Sequence, residues 1–230
     1  VSIQIAGDQA TYAGRAGNYI VTVTNASTAI DQEIDLGDGN NVLNLALTTA
    51  VNPTADITAG SGVDTLVLDW AAAIDTARSA DTSFASKFTG FDRLTIGDRA
   101  DVDTGITVDL EALGFTDYVT TSGTDDTTDQ GGDSTDDGDT LTLANMANNG
   151  TVVLTDTQDS TGDAALTAAI VAEIKDASTN DSDVLNVETD TDGGKDVGTL
   201  TADDVETINV MVNDSDDTVV AGVEQVSDDT

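Results

Sequence analysis

The sequence predicts a mainly β chain, a parallel β-helix-like solenoid with short helical insertions. Three observations predict it. Glycine- and aspartate-rich turns lead repeatedly into short runs of alternating aliphatic residues. These units recur at intervals near 23 residues. The acidic residues are 38 aspartates against 6 glutamates, a balance that suits turns better than helices. The clearest unit is Gly60-Ser61-Gly62-Val63-Asp64-Thr65-Leu66-Val67-Leu68. Its glycines supply positive-φ positions, and its carboxylate folds back onto turn amides or holds a cation. Leu66 and Leu68 fall on one face of the strand that follows.

The other copies are less regular. Gly37-Asp38-Gly39-Asn40-Asn41 leads into Val42-Leu43-Asn44-Leu45, Asp136-Asp137-Gly138-Asp139 into Thr140-Leu141-Thr142-Leu143, and Asn180-Asp181-Ser182-Asp183 into Val184-Leu185-Asn186-Val187. Phe91-Asp92-Arg93-Leu94 and Val205-Glu206-Thr207-Ile208 keep the strand without the glycines, and Asp117-Tyr118-Val119 is a weaker copy. The polar markers fall at 41, 64, 92, 117, 139, 183 and 206, giving intervals of 23, 28, 25, 22, 44 and 23. The long interval spans about two short ones, as a repeated coil of this length requires.

In chain order, residues 1–35 hold two strands, at 1–5 and 18–24, and are expected to cap one end. Residues 36–230 form the repeat-containing β domain. Residues 70–78 and 84–88 read as a helical excursion, with Trp70 as a core anchor. A strand follows at 105–110. Residues 121–139 contain seven aspartates and no aliphatic side chain, which suits either a solvated loop or a cation-holding turn. Strands are expected at 141–143 and 151–155. A helical insertion is expected near 163–177, capped by Asp163, with Leu166, Ile170 and Ile174 at i, i+4 and i+8 among helix-favouring alanines. Strands at 183–188, 205–212 and 218–223 complete the chain. The alternative architecture is two β-sandwich domains with a break near 121–139.

Composition limits the function. Among 230 residues, 44 acidic and 7 basic side chains give a formal charge of −37. Such a chain repels phosphate backbones, so nucleic acid is not a partner. No apolar run reaches the roughly 18 residues of a membrane span, so no membrane insertion is expected. Without histidine or cysteine the usual nucleophiles and bases are missing, and zinc, copper and haem lack their ligands. No enzyme is therefore expected, although paired carboxylates keep a polysaccharide-active enzyme as a third reading. Salt adaptation is another source of the acidity, but it would use glutamate freely. Four N-x-Ser/Thr sites are compatible with a glycosylated surface protein. The chain starts at Val1 rather than Met and its last residues look unfinished, so a processed form or fragment is expected.

The turns GSGVDTLVL, GDGNNVLNL, DDGDTLTL and NDSDVLNV resemble degenerate forms of the nonapeptide G-G-x-G-x-D-x-U-x of the RTX calcium-binding proteins. Alternating with strands such as FDRLTIGD and VETINVMVND, they look like the bacterial surface-layer (S-layer) proteins of that class. The resemblance covers residues 36–220 loosely. It implies a β-roll-like solenoid whose turn aspartates bind Ca²⁺, secretion, and assembly at the cell surface. Tandem β-rolls repeat the nonapeptide without interruption, whereas each copy here stands alone, so isolated ion sites are expected. The expected calcium ligands are Asp38, Asn40, Asp64, Asp133, Asp136, Asp137, Asp139, Asp181 and Asp183. The expected function is a secreted, extracellular structural protein that polymerises with itself into a calcium-stabilised surface layer or filament. A cell-surface glycan is its expected anchor. The alternative is an adhesin or carbohydrate-binding module, which would line a groove with Trp70, Tyr12, Tyr19 or Tyr118.

Overall fold

The structure, a computed structural model, describes residues 1–6, 11–24, 30–45, 53–69, 73, 83–97, 100–101, 105–122, 124–125, 140–155, 169–179, 182–191 and 199–214. The chain is mainly β, built of parallel sheets with short helical insertions. It divides into two compact units: Val1–Gly97 with Glu111–Phe115, and Asp98–Leu110 with Thr116–Thr230.

The first unit contains β1 (Ser2–Ala6), β2 (Tyr12–Ala13), β3 (Ile20–Thr24), β4 (Ile34–Asp35), β5 (Val42–Leu45), β6 (Ile57–Thr58), β7 (Thr65–Asp69), helix α1 (Ser83–Lys87), β8 (Phe88–Thr89) and β9 (Arg93–Gly97). The odd-numbered strands lie side by side in one parallel sheet and the even-numbered strands in another. The chain visits the two sheets alternately, which gives each parallel pair the long crossover it needs. Register is strict, with Ile20 opposite Val42, Val42 opposite Thr65, and Thr65 opposite Arg93. It follows from the alternation of apolar residues. Val21 and Val23, Leu43 and Leu45, Leu66 and Leu68, and Leu94 and Ile96 all face inward and are buried. A slip of one residue would turn every one of them to solvent. Each such side chain contributes about 1.5–3 kcal/mol by leaving water. In the second sheet Ile34, Ile57 and Phe88 align and are likewise buried. Phe84 on α1 stacks on Phe88 with ring centroids 4.4 Å apart, and Phe88 meets Phe91 at 6.0 Å.

Chain order continues with β10 (Ala100–Asp101), β11 (Ile106–Asp109), α2 (Leu110–Leu113), β12 (Tyr118–Thr121), β13 (Thr124–Asp125), β14 (Leu141–Met146), β15 (Thr151–Thr155), β16 (Ala169–Ile174), β17 (Val184–Thr191), β18 (Thr199–Thr201) and β19 (Thr207–Asp214). Gly114, at φ +80°, ends α2 in the left-handed conformation that favours glycine. In the second unit β12, β15, β17 and β19 lie in order in one parallel sheet, and β11, β14, β16 and β18 in another. β10 and β13 form a short parallel pair. Among the described residues every pairing within each unit is parallel, unlike the antiparallel sheets of the sandwich alternative.

Two expectations are corrected. The helix expected near 163–177 is a strand where it is described: Ala169–Ile174 is β16, paired with β14 and β18. The i, i+4, i+8 spacing that suggested a helix is also a multiple of two. Ile170, Ala172 and Ile174 are buried while Glu173 between them is exposed, so the period is that of a strand. Pairing on both edges overrides the helix propensity of alanine. The marker at Asp139 also does not continue the series 41, 64, 92 and 117. The strand it leads into, β14, lies in the sheet of β11, β16 and β18. The strand between β12 and β17 is β15, which follows Asn149-Gly150 and no acidic turn. Trp70, most of 121–139 and the strand expected at 218–223 lie outside the described residues.

Candidate functional site

The turns that open β3, β5 and β7 form the most distinctive polar array of the first unit. Gly17-Asn18-Tyr19, Gly39-Asn40-Asn41 and Gly62-Val63-Asp64 occupy equivalent places before these strands. The three glycines have φ of +146°, +124° and +135°. The backbones also approach too closely for a side chain: a Cβ on Gly39 would lie 2.4 Å from the carbonyl oxygen of Gly17, and one on Gly62 2.3 Å from that of Gly39. Glycine is therefore required both by conformation and by space.

Polar side chains stitch these turns in both directions. Looking forward along the chain, Asn18 Oδ1 accepts the Asn40 N–H at 3.0 Å, and Asn40 Oδ1 accepts the Val63 N–H at 3.0 Å. Asp38 Oδ1 accepts both the N–H and the hydroxyl of Ser61, at 3.0 and 2.8 Å. Looking backward, Asn41 Oδ1 accepts the Tyr19 N–H at 3.1 Å, Asp64 Oδ1 the Asn41 N–H at 2.9 Å, and Asp92 Oδ2 the Asp64 N–H at 2.9 Å. These bonds satisfy turn amides that belong to no sheet ladder, as closely packed turns require.

The two ends of this array differ electrostatically. Asp38 is held below the usual carboxylate range, chiefly by the Ser61 backbone N–H and then by the Ser61 hydroxyl. Asp64 is pushed above it, chiefly by burial. The hydrogen bonds from Asn41 pull the other way, and the negative charges of Asp92 and Asp38 add to the rise. Asp64 is fully buried, and its Oδ2 has no hydrogen-bond partner. Asn41 does not have this difficulty. Its Nδ2 donates to the carbonyl oxygens of Gly37 and Gly39, at 3.0 and 3.1 Å. Gly60 and Gly62 hold the corresponding places one turn on. A buried carboxylate oxygen without a hydrogen-bond donor calls for a proton or a cation.

The backward stitch recurs in the second unit. Asp183, buried before β17, donates its N–H to Glu206 Oε2 at 2.6 Å, 23 residues ahead. Its Oδ1 accepts from Asn148 Nδ2 at 2.7 Å, and Asn148 Oδ1 accepts the Val184 N–H at 3.0 Å. Outside the turns, Asn209 Nδ2 donates to Asn186 Oδ1 at 3.0 Å, and Asn186 Nδ2 to the Asn149 carbonyl at 2.9 Å.

Of the expected calcium ligands, Asp38, Asn40 and Asp64 lie on two consecutive turns of the first unit and Asp183 lies in the second unit. Asp133, Asp136, Asp137, Asp139 and Asp181 fall outside the described residues. Among the described residues no three carboxylate, histidine or cysteine side chains converge as a metal cluster. Sequence reading marked Asn41 and Asp92 as repeat positions without a bonding role, and missed Asn18 and Ser61 as members of the array. The signal for them was present: each is a hydrogen-bonding residue placed 20-odd residues from its partner, at the repeat interval. Comparison with protein-family profiles, curated proteins and solved structures found no match to this chain.

Proposed function

We propose that this chain is a secreted structural protein that joins copies of itself into a cell-surface layer or extracellular filament stabilised by Ca²⁺. In this reading the fold is a parallel β-solenoid related to the β-roll, each coil contributing one strand to each sheet. The observation that carries it is the use of turn side chains: Asp38, Asn40, Asn41, Asp64 and Asp92 bond the backbone of the adjacent turn. Polar residues engaged in holding a scaffold together suit a structural role, because quasi-one-dimensional folds derive their stability from neighbouring repeats.

Calcium enters through the turn carboxylates. Asp64 would hold the ion through its buried Oδ2, which has no other partner, and adjacent turn carbonyls are donors of the hard oxygen type that calcium takes. Asp38 and Asn40 would contribute only oxygen lone pairs left over from their amide contacts. The ion also offsets the self-repulsion of a chain with net charge −37. The equivalent turn position holds Tyr19, Asn41, Asp64 and Asp92 in successive coils, so carboxylates do not occupy every turn and isolated sites are favoured over a continuous row of ions.

Electron microscopy of the purified chain with and without calcium tests the proposal. Ordered sheets or filaments in calcium are expected, and dispersed particles under both conditions would reject self-assembly in favour of an adhesin or glycan-binding role.

A further inference from the structure

One outward face of the first unit lacks the charge found elsewhere on the chain. Along β3, β5, β7 and β9 the residues between the buried aliphatics point outward, and they are mostly threonine, valine and asparagine. Asp69 and Arg93 are the only charged side chains on these strands, and their signs cancel. The whole chain, by contrast, has 44 acidic and 7 basic residues. The face is also partly apolar. Ile20 is 49% exposed, Val42 stands beside it in register, and Val67 lies one row further along the sheet.

Other surfaces of the same unit are acidic. Asp35 is exposed on β4, with Asp31 and Glu33 exposed just before it. The turns before β5 and β9 expose Asp38 and Asp92. Copies meeting through any of these would bring like charges together, which is repulsive even in water's dielectric. Contact through the neutral face avoids that repulsion and takes Ile20, Val42 and Val67 out of water.

We infer that the outward face of β3, β5, β7 and β9 in one copy packs against the same face of a second copy, sheet on sheet. This names a contact within the self-assembly reading and rests on it. Sheets packed in this way lie about 10 Å apart, with side chains from the two faces interdigitated. The contact is isologous, one surface meeting itself across a twofold axis. Thr22, Asn44, Val67 and Thr95 form the middle row of the face. With the axis along that row, Val67 of each copy faces Val67 of the other. The same operation brings Arg93 of each copy within about one strand spacing, 4.7–4.9 Å along the sheet, of a position facing Asp69 of the other, so opposite charges meet. Four short strands cover about 300 Å², well below the roughly 800 Å² a side of a stable interface. One such contact is therefore weak alone and gains strength where other contacts already align the copies.

Ile20→Glu combined with Val67→Glu adds two charges to this face, and Ala13→Glu combined with Thr89→Glu adds two at exposed positions of β2 and β8. Both are made in the full chain, checked for folding by circular dichroism, and compared with the parent by light scattering in calcium. The first pair should lower assembly about tenfold or more, and the second should leave it near the parent's, because only the first sets like charges in the contact. Equal effects of the two pairs overturn the face-to-face contact and leave self-assembly standing. A parent that remains monomeric overturns both. Should the first pair fail to fold, Val67→Cys decides, since the chain has no other cysteine. Under assembling conditions a bismaleimide with a reach of about 10 Å, the sheet separation, should join Val67→Cys copies at least about tenfold faster than Ala13→Cys copies. Equal cross-linking rates also overturn the contact.

Discussion

The backbone N–H of Asn41 donates to Oδ1 of Asp64 at 2.9 Å, and the two residues hold the same position on consecutive turns. One is an amide with both ends satisfied; the other is a buried carboxylate with one oxygen unpartnered. The fold therefore offers its own control for what a charge does at this site. Replacing Asp64→Asn should let the new Nδ2 donate to the Gly60 and Gly62 carbonyls, as Asn41 does to Gly37 and Gly39. Under chelating conditions this variant should be more stable than the parent by about 1–3 kcal/mol, the cost of one unsatisfied buried polar group. Asp64→Ala removes the acceptor of the Asn41 N–H and should lose stability. Denaturant midpoints measure both, and a less stable Asp64→Asn would show that the second oxygen is not a liability.

Calcium should reverse that ranking. An ion on Asp64 Oδ2 would stabilise the parent by mass action, about 2.7 kcal/mol at a hundredfold excess over its dissociation constant. Asp64→Asn should lose most of this increment, which thermal melts with and without chelator at fixed ionic strength would show. Full restoration of the chelated parent by monovalent salt would assign the effect to charge screening instead.

The dependence on pH has two parts of opposite sign. Burial raises the Asp64 pKa, so between the usual carboxylate range and its raised value the folded state binds a proton more readily than the unfolded state. Stability from this group falls as pH rises through that window and is regained on mild acidification. Asp38 is lowered, first by the Ser61 backbone N–H. Its contribution is present above the usual range and is lost as pH falls through its lowered value. Without calcium, the parent should gain stability on mild acidification and lose it in stronger acid. Asp64→Asn should lack the first phase, and chemical denaturation across pH checks this.

The inward-facing leucines should act independently of the turn chemistry. Leu66 is fully buried one strand position past Thr65, and Leu66→Ala should cost about 2–5 kcal/mol through the cavity it leaves. Its calcium affinity in the folded state should match the parent's, since an aliphatic side chain supplies no oxygen ligand. A parallel loss of affinity would show that core packing sets the turn geometry.

Much of this was legible in the sequence because two signals are local. Alternation placed Leu43, Leu45, Leu66, Leu68, Leu94 and Ile96 inside, and the recurring acidic or Asn marker located the starts of β5, β7, β9, β12, β17 and β19. The rest depends on which strands become neighbours, which no single turn encodes. DDGDTLTL has the same local form as GSGVDTLVL, yet β14 belongs to a different sheet from β7. Apolar residues four apart serve a helix and a strand equally, and only the neighbours of β16 decide between them. The array itself is reciprocal. Asp38 stands out in the sequence as an acidic turn residue, and that Ser61, 23 residues on, donates to it twice is visible only in the structure. Asn41 and Asp92 matter for the same reason, as partners rather than as motifs.

If calcium joins copies of this chain, sedimentation velocity of the purified protein across a calcium titration will show it. Ionic strength is held constant and magnesium serves as the control, since it demands a more regular oxygen shell and dehydrates reluctantly. A monomer in chelator, growth to large species as calcium reaches the millimolar range, and little growth in magnesium are expected. A chain that stays monomeric at millimolar calcium and high protein concentration would contradict this.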